Sequence, residues 1–373
     1  MTSKNHPTVS TAASSRLLAL DAARAVAILG MVAVNVGPRD GASADLLARA
    51  AHGRASLLFV VLAGVGIALL TRHSWPAKPS RRGVLVSRGL ILLLGGLALQ
   101  LLDHGVNVIL PTYGALFLVA VLMLQASQRT LVVSAVSALL GGPLLWIAAQ
   151  CQEQFGRAAP ELLDAPHHVA ADICLSGPYP VITWVGPFLL GIWLGRLDLQ
   201  DPRLHQNLAL WGGSLAVGAY LLSRLLVAAL GEPSDRVGFD RLISGVGHSQ
   251  MPLWLISGTG SALFVIGVIF LLSPHLGRWS YPLASLGRLS LTVYVAHLLV
   301  LAFFVRPGPD TSEQGLLVTA IIGIVSIASA SLWCTRFRRG PLEALLHAAT
   351  QYGAKPDSTS SSDPNDQADQ RAS

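Results

Sequence analysis

Ten apolar runs near 20 residues long dominate the chain. They fall at roughly 16–36, 55–71, 84–102, 106–125, 129–149, 179–196, 207–230, 252–273, 283–304 and 315–334. A helix of that length crosses the ~30 Å hydrocarbon core of a bilayer, where only helices and closed barrels satisfy every backbone amide. The expected fold is therefore all-α, a polytopic membrane protein of about ten helices. Composition agrees. Hydrophobic residues are 52% of the 373 and charged residues 12%, about half the charge of a soluble domain. In so apolar a chain, the 36 glycines and 21 prolines read as close-packed or broken membrane helices. The second run is short, and Pro180 and Pro187 interrupt the sixth.

The bases are placed as a membrane topology requires. Arg72, Lys78, Arg81, Arg82 and Arg88 crowd the second link, and Arg336, Arg338 and Arg339 follow the last run. Both segments are expected on the cytoplasmic side, which ten spans allow. The fourth, sixth and eighth links join them with Arg129, Arg196 and Arg203, and Arg278. The fifth link, 150–178, carries Glu153, Glu161, Asp164 and Asp172 against Arg157 and falls outside. The expected localisation is therefore the cell membrane, multi-pass, with both termini cytoplasmic. The net charge of +6 forms no basic stripe, so membrane lipid is the expected partner and nucleic acid is not. The expected division is a polar tail at 1–15, a transmembrane domain at 16–335, a basic amphipathic segment at 336–352 and a disordered tail at 353–373. No cleavable signal is expected, because residues 1–15 are polar and the first run is long. The oligomeric state stays open.

Ionisable residues inside the spans carry the functional argument, because a charge at membrane depth is costly unless paired or wet. Asp21 precedes Arg24 by three residues, a neighbour spacing on a helix. Asn35 follows Arg24 by eleven residues, within ~20° of three full turns and ~16 Å along the axis. One face of the first helix is thus polar at both ends. Asp21 and Arg24 read either as a self-contained ion pair or as an anion site built on Arg24. In the ninth run, Arg288 lies at the inner end, and Ser290, Tyr294 and His297 recur on one face running outward. Those three read either as interhelical hydrogen bonding or as the lining of a site.

Four histidines fall on the outer side of this topology. His52 is at the mouth of the second run, beside Gly53 and Arg54. His248 precedes the eighth in GVGHSQMP, and His297 is inside the ninth. His104, beside Asp103, reads as a solvated loop residue. A neutral imidazole takes a proton from a hydroxyl or amine near neutral pH, and Arg54 is expected to keep His52 neutral. Three cysteines form no CxxC pair, and His167–His168 stands alone, so no metal is expected. Cys151 and Cys174 bracket the outer fifth link, either as a disulfide or as two free thiols.

Asp21-x-x-Arg24 with Gly30-Met31 and Asn35, followed by HGRASLLFVVLAG, resembles the bacterial membrane proteins related to heparan-α-glucosaminide N-acetyltransferase, within a wider superfamily of multi-span acyltransferases. LPTYGALF at 110–117, YPVITWVGPFLLGIWLGRLDL at 179–199, HSQMPLWLISGTGSAL at 248–263 and LGRLSLTVYVAH at 286–297 are similar to the same group. The resemblance covers roughly 16–345. It implies an acyl-CoA donor, acetyl-CoA above all, entering from inside. It also implies an acceptor hydroxyl or amine on a small molecule, glycan or lipid at the outer side, and an assisting histidine. In the related acyltransferase family three, the first-span Arg is followed eleven residues later by His. Here that position is Asn35, which moves the base to His52, His248 or His297. On this reading Arg24 and Arg288, with Asp21, hold the donor. His52, or failing it His297, activates the acceptor, and Asn35 and His248 orient it or stabilise the oxyanion. A transporter or flippase for a polar lipid or metabolite, and a non-catalytic scaffold, are the other readings of the same residues.

Overall fold

The computed structural model describes residues 9–37, 52–71, 79–151, 159–234 and 236–352. Among these the regular elements are helices, with no strand. In order they are α1 (Val9–Val36), α2 (Arg54–Thr71), α3 (Pro79–Gln100), α4 (Leu110–Met123), α5 (Gln128–Gln150), α6 (Pro166–Ala171) and α7 (Val181–Arg196). They continue with α8 (Pro202–Leu230), α9 (Pro252–Leu272), α10 (Ser280–Arg288), α11 (Ser290–Val300), α12 (Ser312–Arg336) and α13 (Pro341–Tyr352). The chain is an all-α polytopic membrane protein. Each of the ten apolar runs holds helix.

Three of the ten runs are not straight spans. Among the described residues seven helices are long and apolar enough to cross a membrane, or up to nine spans if each of two bent pairs counts once. The sixth run, 179–196, supplies α7, one half of such a pair, and the other half, 166–176, falls in the expected fifth link. The helix ending at Ser176 meets α7 at 60° across Gly177-Pro178-Tyr179-Pro180, where two prolines remove amide donors. The ninth run is the other. α10 and α11 meet at 72°, at Leu289, whose φ of −97° and ψ of 24° leave the helical region. The fourth run yields only the 14 residues of α4, about 21 Å at 1.5 Å per residue, because residues 101–109 are a loop.

α1 is the hub, packing on α2, α9, α10, α11 and α12. Its neighbour α2 has 61% of its span inside the bundle, whereas peripheral α8 has 11%. Exposed Leu210, Trp211 and Leu225 on α8, and Ile324 and Leu332 on α12, give the apolar exterior that lipid demands. α2 and α7 cross backbone to backbone. A Cβ at Gly191 would strike the Val61 carbonyl, and one at Gly64 the Phe188 carbonyl. Such small-residue crossings let membrane helices approach closely.

Described links gather at two ends of the bundle. At one end the 101–109 loop, the 231–251 loop and the start of α2 converge. At the other, Arg196 donates to the Met123 and Leu124 carbonyls at 3.1 Å and to that of Ala126. Within the amphipathic segment expected at 336–352, Pro341–Tyr352 form α13. It docks on α3 and α11 through Glu343, which accepts from the Leu291 and Thr292 amides at 2.8 and 3.0 Å. Of the two cysteine readings, free thiols hold, since Cys151 and Cys174 are both unbridged and exposed. Lys78, Glu153, Arg157 and the 353–373 tail lie outside the described residues, and α1 already begins at Val9.

Candidate functional site

The sequence-selected residues gather into three groups. The first joins α1 to α11: the Asn35 side-chain nitrogen lies 3.1 Å from His297 Nε2. An amide nitrogen only donates, so Nε2 accepts and a neutral ring keeps its proton on Nδ1. His297 is 2% exposed, and the Tyr294 ring meets it edge-on at 5.1 Å. The Tyr294 hydroxyl accepts from the Ile109 amide at 3.2 Å. Arg306 donates to the Asn35 carbonyl at 2.8 Å and to the His104 carbonyl at 2.5 Å, tying the end of α1 to the 101–109 loop. Here the expectation for His104 is corrected. It is fully buried, accepts from the Val106 amide at 3.1 Å and lies 3.0 Å from the Leu99 carbonyl. It shapes the loop instead of facing solvent, because the loop folds back over α3.

The second group pairs His52 with His248, rings edge-on at 4.9 Å. His248 and Gln250 both have positive φ, 58° and 63°, a conformation that costs a non-glycine residue of order 1–3 kcal/mol and persists only where the surroundings fix it. Gln250 does the fixing. Its Oε1 accepts from Thr183 Oγ1 at 2.9 Å and Trp184 Nε1 at 3.0 Å, and its amide donates to the Pro178 carbonyl at 3.0 Å. The turn is thereby pinned to the start of α7, and His248 is walled by Tyr179, Trp184 and Trp254. Burial, and secondarily the charge of His52, push His248 down to about 3. His52, exposed at the mouth, is lowered by desolvation. Neutrality was expected from Arg54. The cause is desolvation instead, and the Arg54 guanidinium donates to Ser257 Oγ at 3.1 Å.

Asn35 and His248 line one cavity, together with Gly53, Asn107, Tyr179 and Tyr294. Its volume of about 20 Å³ admits one water but no acyl chain without side-chain movement. His52 and His297 each touch a residue that lines it, His248 and Asn35 respectively.

The third group sits three turns away, ~16 Å along α1. Arg24 reaches Asp21 at 2.7 Å and Arg288 reaches the other carboxylate oxygen at 3.4 Å. α10 comes this close because Gly287 faces the Asp21 carbonyl with no room for a Cβ. Asp21 and Arg24 do form the ion pair that the spacing allows, but one carboxylate serves two guanidiniums, leaving net positive charge. The Arg24 and Arg288 side chains keep 28% and 41% exposure, so an anion can reach them. Of the face expected on the ninth run, Tyr294 and His297 are buried and Ser290 only begins α11, because the break at Leu289 intervenes. Sequence reading missed Gln250, Tyr179, Arg306 and Glu343. Gln250 had a signal as a lone amide between His248 and an apolar helix. Arg306 had none.

These features define a class: a helical membrane bundle with a reachable cation cluster towards one end and paired imidazoles around a polar cavity at the other. Residues 16–223, more than half of the chain, match the family described as heparan-alpha-glucosaminide N-acetyltransferase, catalytic, and the chain belongs to that family, whose activity is of the membrane acyltransferase type. Residues 198–353 match the family described as protein of unknown function (DUF418). Asp21, Arg24, Asn35 and His52 fall in the first match, and His248, Arg288 and His297 in the second. A search of curated proteins finds no match.

Proposed function

We propose that the protein transfers an acyl group, acetyl first of all, from a cytoplasmic acyl-CoA to a hydroxyl or amine acceptor at the outer side of the cell membrane. The observation that carries this reading is the polarity of α1. Arg24 on its face belongs to an anion-accessible cluster with Asp21 and Arg288, and Asn35 on the same face holds His297. The basic second and last links support a cytoplasmic location for the Arg24 end and for both termini.

The cluster fits the donor's phosphates chemically: two forked guanidiniums share one carboxylate, so positive charge is left over. At the other end the acceptor O–H or N–H attacks the thioester carbonyl carbon. The acceptor's proton passes to a ring nitrogen, the C–S bond breaks, and the CoA thiolate leaves and regains a proton. His52 suits the base role. It is neutral near pH 7 and accessible. His248, held near 3, is too weak a base and serves to orient His52. His297 has Nε2 engaged by Asn35. The Asn35 amide carries a second N–H, which is available to the oxyanion that forms on the carbonyl.

The test is donor binding in detergent. Arg24→Ala is expected to weaken acetyl-CoA binding at least tenfold, with Arg24→Lys restoring it only in part, because a point charge lacks the planar fork. Folded Arg24→Ala and Arg24→Lys variants that both bind acetyl-CoA like the parent would remove the donor role and leave a transporter as the better account.

A further inference from the structure

Tyr113 lies on α4, one turn after Ile109, and is 6% exposed. Its ring packs on Phe59 of α2 with centroids 5.2 Å apart. Its hydroxyl has no hydrogen-bond partner among the described residues. Two groups beside it are satisfied: the Ile109 amide donates to Tyr294, and Thr112 Oγ1 donates to the Tyr179 carbonyl at 2.7 Å. Arg24 on α1 and the Tyr294 hydroxyl on α11 are both within electrostatic reach of it. α4 runs inward from the cavity end, so Tyr113 sits one turn deeper than the Ile109–Tyr294 contact. It therefore lies between the polar cavity and the Arg24 cluster.

A buried hydroxyl without a partner costs about 1–3 kcal/mol, and phenylalanine fills the same space at none of that cost. A phenol at this depth is explained by an acceptor that arrives with a ligand. The arm of an acyl-CoA offers such acceptors, amide carbonyls and the thioester carbonyl, on an otherwise thin and largely apolar thread. We infer that the Tyr113 hydroxyl donates a hydrogen bond to a carbonyl of the donor's arm where it passes between α1, α2, α4 and α11. This rests on the donor reading given above and adds to it a binding contact in the membrane interior.

Tyr113→Phe removes only the hydroxyl and separates a ligand contact from a structural one. In the purified protein it is expected to unfold at the parent temperature or above it, since an unsatisfied group is lost. It should bind the nucleotide portion of CoA, which lacks the arm, like the parent, and bind acetyl-CoA roughly 5- to 30-fold more weakly. Arg24→Ala, measured alongside, should weaken both ligands. Parent-like acetyl-CoA binding by Tyr113→Phe with loss in Arg24→Ala overturns this inference and leaves the donor reading standing. A markedly lowered unfolding temperature for Tyr113→Phe also overturns it, because the hydroxyl would then hold the fold. Parent-like binding of acetyl-CoA by both variants overturns the inference and the donor reading together.

Discussion

His248 combines a strained backbone with an imidazole that burial holds near 3, and this fixes the sign of its effect on stability. The unfolded ring titrates near 6.5 and the folded ring does not, so the unfolded state takes up the proton first. The penalty is absent above about pH 6.5 and grows as pH falls from there toward 3. His248→Gln is therefore expected to flatten the loss of stability across that window, as read by unfolding midpoints at stepped pH, and to leave the midpoint near pH 8 with only the packing loss. An unchanged slope would show that His248 is not the titrating group. At the same end, His52→Gln keeps hydrogen bonding but not proton transfer, and single-turnover transfer should fall by roughly 10²–10⁴. A parent-like rate in His52→Gln with loss in His297→Gln would move the base to α11. The candidate residues were legible in sequence because charge and imidazole stand out inside apolar runs. Their pairing was not. Asn35 and His297 are separated by 262 positions, and no local period encodes such a contact. The role of His104 misread for the same reason: adjacency to Asp103 said loop, while burial depends on how that loop folds back over α3.

At the scale of elements, helices followed the apolar runs closely, since in lipid no other open-chain structure satisfies the backbone. Departures arose where the backbone needed outside help. α11 begins after a 72° bend, and its first amides are met not by a local cap but by Glu343 from α13. That carboxylate also takes the Thr292 hydroxyl at 2.5 Å. Its partner is 51 residues away, so the ninth run alone reads as one straight span. Glu343→Ala should lower stability by about 1–2 kcal/mol, the range for losing a helix N-cap, measured by denaturant or thermal unfolding in detergent. Because Arg288 sits one residue before the bend, donor affinity should fall in the same variant, whereas Ala at exposed Glu313 should change neither.

For the whole molecule, the expected topology is one that native cysteines can report. Cys151 and Cys174 flank the expected outer link, and Cys334 is near the opposite end, in the last turn of α12. A membrane-impermeant maleimide should label the first two in intact cells and reach Cys334 only after permeabilisation. The reverse pattern would invert the bundle and with it the assignment of donor and acceptor sides. Acyl transfer across the membrane is the central claim, and sided liposomes test it most directly. Acetyl-CoA is supplied in the compartment facing Arg24, an amino sugar is placed in the compartment facing His52, and free CoA thiol is measured on the donor side together with acetylated sugar on the other. The account predicts both products for the parent, appearing in equal amounts, and neither for Arg24→Ala or His52→Gln. Thiol release and acetylation that persist unchanged in both variants, or acetylated sugar formed only on the donor side, would contradict it.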